Sequence, residues 1–310
     1  KASDPAGSIQ LTLEVEGMPD YPIRRQWTLN NRQAYPAETR QQRTTLETGA
    51  SQNLPAQDLA HWTSASLRAS ISLGNYINLD TATQLSNLLH YPYGCLEQTL
   101  SSAYPWLYAT PEQLQQLELP GVSDSQRQSA LAKALEGISR RQRDNGGYSL
   151  WSANDGSEEH WLTAYAGSYL SDALDAGQSI DQTLLDKTLQ RLQQYSRNQA
   201  NVDERWSDNP ELYRLTYQAF ANFVLARHQQ ARLGDLRNMA KRLPDTLPAL
   251  AMVHLALAAQ LQGDQALASQ LADKAQQRID AGQLRPQQYL GDYGSPVRDL
   301  AWISYLAAHY

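Results

Sequence analysis

Apolar residues recur at helical spacing through almost the whole chain after residue 59, and this periodicity limits the fold more than any other feature of the sequence. Positions three and four residues apart share one face of a helix, so each segment is expected to bury one side. Start signals such as Asp80 and Pro210, and stop signals such as Gly177 and Gly263, separate the segments. The pattern predicts helices over 66–74, 80–90, 95–109, 126–143, 159–175, 181–196, 211–229, 246–261, 265–280 and 297–309.

A weak internal repeat relates several of these predicted helices. Residues 97–104 (Glu-Gln-Thr-Leu-Ser-Ser-Ala-Tyr) align with residues 159–166 (Glu-His-Trp-Leu-Thr-Ala-Tyr-Ala), and Leu-Thr-Ala at 162–164 recurs as Leu-Thr-Tyr at 215–217. A repeat of this length fits a unit of two helices with long loops. The chain is therefore predicted to be mainly α, with helix pairs closed into an α/α toroid whose inner helices direct their N-terminal ends to one face.

The first 55 residues have a different pattern. Residues 8–16 alternate polar and apolar side chains, as in a half-buried strand, and 24–29 and 43–47 are further candidate strands. A piece this short cannot build its own core, so we expect it to belong to a β domain whose other strands lie elsewhere. An irregular N-terminal arm is the alternative. We predict a β segment over 1–55 and a helical domain over 56–310.

Composition excludes several classes of function. The 310 residues include 26 basic and 32 acidic ones, for a formal net charge of −6 and no concentrated basic patch, which argues against nucleic-acid binding. A single cysteine rules out an intrachain disulfide. The six histidines are scattered without metal-ligand spacing, and a phosphate-binding glycine loop is absent. We therefore predict neither a metal nor any other cofactor.

The single cysteine lies in residues 91–98 (Tyr-Pro-Tyr-Gly-Cys-Leu-Glu-Gln), the most informative motif of the chain. Residues three apart share one side of a helical turn, so the Cys95 thiolate can reach the carboxamide carbon of Gln98. Attack there expels ammonia and leaves an internal thioester, an activated acyl group. From spacing alone the favoured interpretation is different, because a free cysteine is most often a small buried apolar residue.

The residues around Cys95 favour the thioester. Pro92 ends the preceding helix, Gly94 permits a crowded backbone next to the reacting side chain, and an acid precedes Gln98. This motif resembles the thioester signature of the alpha-2-macroglobulin and complement family, in the form found in bacterial alpha-2-macroglobulins.

The resemblance implies a function for the whole segment. Residues 56–310 would be a thioester domain, and residues 1–55 part of the CUB-like β-sandwich that precedes it. The intact protein would be a broad-spectrum endopeptidase inhibitor that traps an attacking protease by transferring the Gln98 acyl group to a protease lysine. Such a reaction occurs once, so the protein would be an inhibitor and not an enzyme. Its partners would be target proteases and the other domains of a longer chain, in the periplasm, with a lipid anchor outside this segment.

Three further residues of the motif are predicted to assist. Glu97 lies between the reacting residues, where it either orients the Gln98 carbonyl or caps the start of the helix. Tyr91 and Tyr93 are predicted to shield the bond from water, because large aromatic side chains exclude solvent. The nearby Tyr104, Trp106 and Tyr108 contribute either to this shield or to ordinary packing.

Complement-type members of the family transfer the acyl group through a distant histidine. In this chain no histidine lies between His160 and His228, the stretch in which that residue is expected. We interpret His160 as a packing or capping residue, and we expect amines to attack the thioester directly, in competition with slow hydrolysis. Polar residues that are candidates for a modulating role are Asn198, Asn201, Asp203, Glu204 and Asn209.

Two other hypotheses remain open. Residues 146–151 (Gly-Gly-Tyr-Ser-Leu-Trp) resemble a loop found in several toroid families, including terpene cyclases and prenyltransferase subunits. We interpret this loop as a structural staple, with both aromatics wedged between helix pairs. A toroid enzyme would explain the loop, but the aspartate-rich runs of those enzymes are absent. The third hypothesis is a helical-repeat binding module in which Cys95 is buried and inert.

Overall fold

The computed structural model describes residues 7–15, 23–31, 38, 40–53, 67, 69, 71, 73–74, 81–89, 94–116, 123–200 and 206–310. Backbone contacts divide the chain into two compact units, Lys1–Asn78 and Leu79–Tyr310. The boundary predicted between residues 55 and 56 lies in a stretch, 54–66, that is outside the described residues. It stays a prediction.

The first unit contains an antiparallel pair of strands, β1 (Gly7–Val15) and β2 (Ile23–Asn31), in which Leu11 lies opposite Trp27. The alternating pattern of β1 directs its apolar side chains to one face of the pair. The candidate strand over 43–47 is not formed, and described residues 40–53 lack strand structure. That stretch has one large apolar residue, Leu46, so it has no alternating face to bury.

The described residues of the second unit form eleven helices, and none of these is long and apolar enough to cross a membrane. They are α1 (Thr81–Leu89), α2 (Leu96–Tyr108), α3 (Pro111–Gln116), α4 (Asp124–Ser139), α5 (His160–Asp175), α6 (Gln182–Ser196), α7 (Pro210–Arg227), α8 (Leu233–Ala240), α9 (Ala249–Leu261), α10 (Gln265–Asp280) and α11 (Pro296–His309).

These helices form two layers. The inner helices α5, α7 and α9 are buried on nearly every side, whereas α4, α6 and α10 bury only one stripe, as outer helices do. Successive inner helices pack on one another in the order α2, α5, α7, α9, α11. The hydroxyls of Tyr108 and Tyr305 lie 3.2 Å apart and join α11 to α2. The predicted mainly helical fold with an α/α toroid is confirmed.

The structure corrects two predicted helices and adds two that were not predicted. The described residues of 66–74 are not helical, and two of the large apolar ones among them, Ile71 and Leu73, are highly exposed. The helix predicted over 126–143 already ends at Ser139, because the next residues turn back into a bridge between Gln142 and Tyr148. Helices α3 and α8 were not predicted, since each is too short to repeat its apolar pattern.

Helix α4 offers a test of local capping. Ser123 is its N-cap, and its hydroxyl accepts the Gln126 backbone N–H at 3.2 Å while the Gln126 side chain accepts the Ser123 N–H at 2.8 Å. Replacing Ser123 with alanine removes half of this capping box, so we expect a loss of about 1 kcal/mol in the free energy of unfolding. Urea unfolding followed by circular dichroism measures it. A Ser129→Ala variant is the control, because Ser129 is an exposed residue inside the helix and away from its cap.

Candidate functional site

Cys95 and Gln98 lie side by side at the start of α2. Cys95 is the N-cap residue and is 7% exposed, and Gln98 is the third residue of the helix. The Gln98 side-chain carbonyl accepts the Cys95 backbone N–H at 3.3 Å, and the Cys95 side chain faces the Gln98 backbone N–H as in a capping box. The carboxamide is thus folded back over the cysteine, with its carbonyl polarised by a backbone donor.

Burial sets the acidity of the thiol. Loss of solvent raises the pKa of Cys95, and the negative charge of Glu97 adds to this, while hydrogen bonds from the backbone of Gln98 and Glu97 and the charge of Arg141 oppose it. The net pKa is above that of an ordinary cysteine. A free thiol here is therefore less ionised at neutral pH, and less reactive, than an exposed one.

A loop between α4 and α5 holds the backbone around Cys95. The Leu150 carbonyl accepts the Leu96 N–H at 2.7 Å and the Arg141 Nε at 3.3 Å. The Arg141 guanidinium also donates to the Gly94 carbonyl on the other side of the cysteine. Both peptide groups that flank Cys95 are therefore fixed by residues 141–150, and the loop acts as the structural staple that its sequence indicates.

The two aromatics of this loop behave differently. Tyr148 is fully buried, and its hydroxyl lies 2.9 Å from the Thr188 hydroxyl on α6. Trp151 is 61% exposed, so the prediction that both rings wedge between helix pairs is wrong for Trp151. The chain turns outward after Leu150, where the Trp151 and Ser152 N–H groups both donate to the Asp155 carboxylate.

Glu97 is half-buried and is directed along α2. Its carboxylate accepts the Ser101 hydroxyl at 2.7 Å, one helical turn farther on. This contact accounts for the position of the side chain without contact to Gln98. A supporting role for Glu97 in the site stays a prediction.

The aromatic residues near the motif divide into two groups. Tyr91 and Tyr93 lie outside the described residues, so their role as a shield stays a prediction. Tyr104 stacks on Tyr165 at 5.6 Å between ring centroids, and its hydroxyl donates to Asp172 at 3.0 Å. At 1.5 Å per residue it begins roughly 13 Å along the helix from Cys95. Tyr104 therefore packs the inner ring and does not cover the cysteine, and Trp106 and Tyr108 lie still farther along α2.

The described residues among His160 and the polar candidates have structural roles. His160 is the first residue of α5 and packs against the rings of Tyr195, Tyr213 and Tyr217, which confirms its interpretation as a packing residue. The Asn209 side chain caps α7. Asn198 accepts a long hydrogen bond from Gln218. The remaining candidates, Asn201, Asp203 and Glu204, lie outside the described residues.

Sequence reasoning missed a residue pair that the fold brings to this face. The Tyr293 hydroxyl, just before α11, donates to the Glu159 carboxylate at 3.4 Å, and Glu159 is the N-cap of α5. Burial raises the pKa of Tyr293, and the negative charge of Glu159 raises it further. The only signal in the sequence is the Gly-Asp-Tyr-Gly loop at 291–294.

Metal binding finds no support in this part of the molecule. Among the residues that the structure describes, no three histidine, cysteine, aspartate or glutamate side chains are grouped so that they could hold a metal ion.

Comparison with known proteins identifies relatives that cover nearly the whole chain. A family model for the A-macroglobulin TED domain matches residues 67–208. The chain is 33% identical over 305 residues to an alpha-2-macroglobulin of Escherichia coli, which covers 95% of this chain and 18% of the relative. It is 33% identical over 246 residues to an alpha-2-macroglobulin of Xylella fastidiosa, which covers 79% of this chain and 15% of the relative. The chain thus spans less than a fifth of the length of these curated relatives.

Solved structures agree with these matches. The native conformation of E. coli alpha-2-macroglobulin superposes with a TM-score of 0.81 at 29% identity, covering 98% of this chain and 19% of that one. Salmonella alpha-2-macroglobulin reacted with methylamine superposes with a TM-score of 0.79 at 33% identity, covering 98% of this chain and 20% of that one. The fold, the motif at Cys95 and these relatives together place the chain in the alpha-2-macroglobulin family, with its TED domain at residues 67–208.

Proposed function

We propose that Cys95 and Gln98 form an internal thioester and that this chain is the reactive segment of a protease-trapping inhibitor. The observation that carries the proposal is the position of the Gln98 carboxamide, which is folded back over a buried Cys95 at the first turn of α2. A cysteine that served only as a small core residue would not require a glutamine side chain at that place.

The chemistry needs nothing beyond these two residues. The Cys95 sulfur attacks the Gln98 carboxamide carbon, a carbon–sulfur bond forms, the carbon–nitrogen bond breaks and ammonia leaves with the thiol proton. The Cys95 N–H donates to the oxygen on which negative charge develops, as a single oxyanion-hole donor does. The product stays activated because its acyl carbon has a good leaving group, the thiolate.

Capture of a protease is the second acyl transfer. A lysine amine attacks the Gln98 carbonyl carbon, an amide bond forms and Cys95 leaves as the thiolate, which then takes a proton. The bond is used once, so the protein inhibits and does not turn over. Relatives named alpha-2-macroglobulin, and one of them reacted with methylamine, support this proposal. We further propose a periplasmic location and a lipid anchor in the longer chain.

Intact mass tests the thioester directly. The untreated protein is expected to be ~17 Da lighter than its sequence, and methylamine is expected to add ~31 Da and to release one titratable thiol. These are the masses of the ammonia lost and of the amine gained. A Cys95→Ala variant is the control and should have its sequence mass before and after treatment.

The other outcomes separate the alternatives. A mass ~1 Da above the sequence value with a free thiol means that the bond formed and was hydrolysed, which also supports the proposal. An unchanged sequence mass, with no effect of methylamine, contradicts it. The binding-module hypothesis with an inert Cys95 would then be preferred.

A further inference from the structure

We propose that Glu159, held in place by Tyr293, makes the thioester select cationic primary amines such as lysine side chains. This inference rests on the proposed function and assigns the residues that set its nucleophile. It names Glu159 as the specificity-determining residue and Tyr293 as a positioning residue. Neither belongs to the motif at 91–98. Packing of α5 on α2 brings Glu159 to this face, and closure of the inner ring by α11 brings Tyr293.

The loop before α11 is built to hold Tyr293 in one conformation. Tyr293 has a φ of +54°, a left-handed conformation that a large side chain rarely adopts and that marks functional sites when it occurs. The neighbouring Asp292 is buried and pairs with Arg285 at 2.8 Å. Arg285 also pairs at 3.0 Å with Asp299 of α11, which is fully buried. These ion pairs fix the backbone on both sides of Tyr293, at Asp292 and at Asp299.

The same loop places the Tyr293 side chain against the N-terminal end of α5. Its ring packs against Trp161 of α5 at 6.4 Å between centroids, and its hydroxyl donates to Glu159 at 3.4 Å. Tyr293 remains 39% exposed, so it lies at the rim of the site and not in the core. The Leu150 carbonyl binds the Leu96 N–H and the Tyr148 carbonyl binds the Glu159 N–H, so one loop holds the starts of α2 and α5. An incoming amine therefore meets the Tyr293–Glu159 pair on the face where α2 begins.

Glu159 has the surroundings of a base that binds a cation. Its backbone N–H donates at 2.7 Å to the carbonyl of Tyr148, whose loop also braces Cys95. Among the residues that the structure describes, the titratable groups that face its carboxylate are Tyr293 from the loop before α11, Tyr213 from α7 and Asp155 from the loop before α5. None of them is cationic. Burial raises the pKa of Glu159 and Asp155 raises it further, while the Tyr293 hydrogen bond lowers it.

The step balances as follows. A lysine ammonium binds against the Glu159 carboxylate and gives it one proton, and the free amine attacks the Gln98 carbonyl carbon. The carbon–sulfur bond breaks, Cys95 leaves as the thiolate, and the second amine proton converts the thiolate to a thiol. Glu159 returns its proton to solvent. Neutral nucleophiles, such as hydroxyl groups and water, are not attracted by the charge of the carboxylate, so they are not concentrated beside the thioester as an ammonium is.

Aminolysis rates of three variants test this assignment. We expect Glu159→Gln to slow the reaction with methylamine, which is cationic at neutral pH, at least about tenfold, as expected for loss of a general base. The reaction with hydroxylamine, which is uncharged at neutral pH, should change much less. Glu211→Gln is the matched control, because Glu211 is an exposed acid in the first turn of α7 and its loss removes the same charge.

The pH profile separates chemistry from a structural effect. In the wild-type protein the rate constant per methylammonium should be level above the pKa of Glu159 and should fall as the pH drops through that value. In Glu159→Gln only the free amine attacks, so the same rate constant should fall about tenfold for each pH unit over the whole range. In Tyr293→Phe the fall seen in the wild-type protein should begin at a higher pH, because the hydrogen bond that lowers the Glu159 pKa is lost. The packing of the ring on Trp161 is retained in that variant.

The outcomes distinguish this inference from the function on which it rests. A wild-type mass deficit of ~17 Da with equal slowing of methylamine and hydroxylamine, or with unchanged rates, overturns the role of Glu159 and leaves the thioester intact. A wild-type protein that shows neither the mass deficit nor a hydrolysed bond overturns both.

Discussion

Replacing Arg191 with methionine is expected to lower the free energy of unfolding by about 3–5 kcal/mol, because it leaves a buried carboxylate without its partner. Arg191 of α6 donates to both oxygens of Glu158 at 2.7 Å, and both side chains are almost fully buried. Tyr195 and Asn145 also donate to this carboxylate. Glu158 therefore stays ionised in the interior only while these donors surround it.

The pKa of Glu158 predicts how the stability loss in Arg191→Met depends on pH. Burial raises the pKa of Glu158, but the hydrogen bonds from Arg191 and Tyr195 and the charge of Arg191 outweigh it, and the net pKa is lowered. A carboxyl with a lowered folded pKa stabilises the fold above its unfolded pKa, and this contribution is lost as the pH falls through the folded value. Below about pH 4 the buried carboxyl of Arg191→Met can be protonated, which removes its unpaired charge. The difference in the free energy of unfolding between the wild-type protein and Arg191→Met should therefore become smaller at acid pH.

Urea unfolding at pH 7 and at acid pH measures both parts of this prediction. Arg140→Met is the matched control, because Arg140 pairs with Glu136 at 3.1 Å on an exposed face of α4 and should cost less than about 1 kcal/mol. A double variant, Glu158→Leu with Arg191→Met, should be more stable than Arg191→Met alone, since it removes the unpaired charge. Equal costs for Arg191→Met and Arg140→Met would contradict the explanation.

Local patterns predicted those parts of the fold that depend on neighbouring residues. The long inner helices were found because each repeats its apolar spacing over several turns, and the pairing of β1 with β2 follows from alternation in both strands. The pattern at 66–74 predicted a helix that the described residues of this stretch do not form, since apolar spacing alone does not supply a surface on which Ile71 and Leu73 can be buried. Helices α3 and α8 have too few turns for a periodic signal.

In the candidate site, too, the sequence predicts only what depends on residues close together in the chain. Cys95 and Gln98 lie within one turn, so their proximity follows from local geometry and could be read from the motif. Tyr293 reaches this face only when α11 closes the inner ring against α2, and no local pattern reports that closure. Glu159 was noticed as part of a repeat, but its burial and its hydrogen bond with Tyr293 depend on the packed structure.

Replacing Gly146 with alanine is expected to lower the free energy of unfolding about as much as Arg191→Met does. It should also disturb the backbone that holds Cys95. Gly146 has a φ of +87°, and a Cβ there would overlap the backbone carbonyl group of Lys187 on α6, whose carbon would lie 2.7 Å away. A helix backbone cannot move aside as a side chain can, so the loop must shift. We expect a loss of at least about 3 kcal/mol in the free energy of unfolding, because strain and a backbone overlap combine.

A glycine elsewhere in the toroid separates these two causes. Gly177 has a φ of +78° but nothing within 4 Å of the position of a Cβ, so Gly177→Ala reports only the cost of the left-handed backbone, about 1–2 kcal/mol. The shift at Gly146 should also displace the Leu150 carbonyl that accepts the Leu96 N–H. The Gly146→Ala variant should therefore lose its proposed thioester to hydrolysis faster than Gly177→Ala, as measured by the rate at which the Cys95 thiol appears. Equal stability and equal thiol release in the two variants would show that the loop does not brace the site.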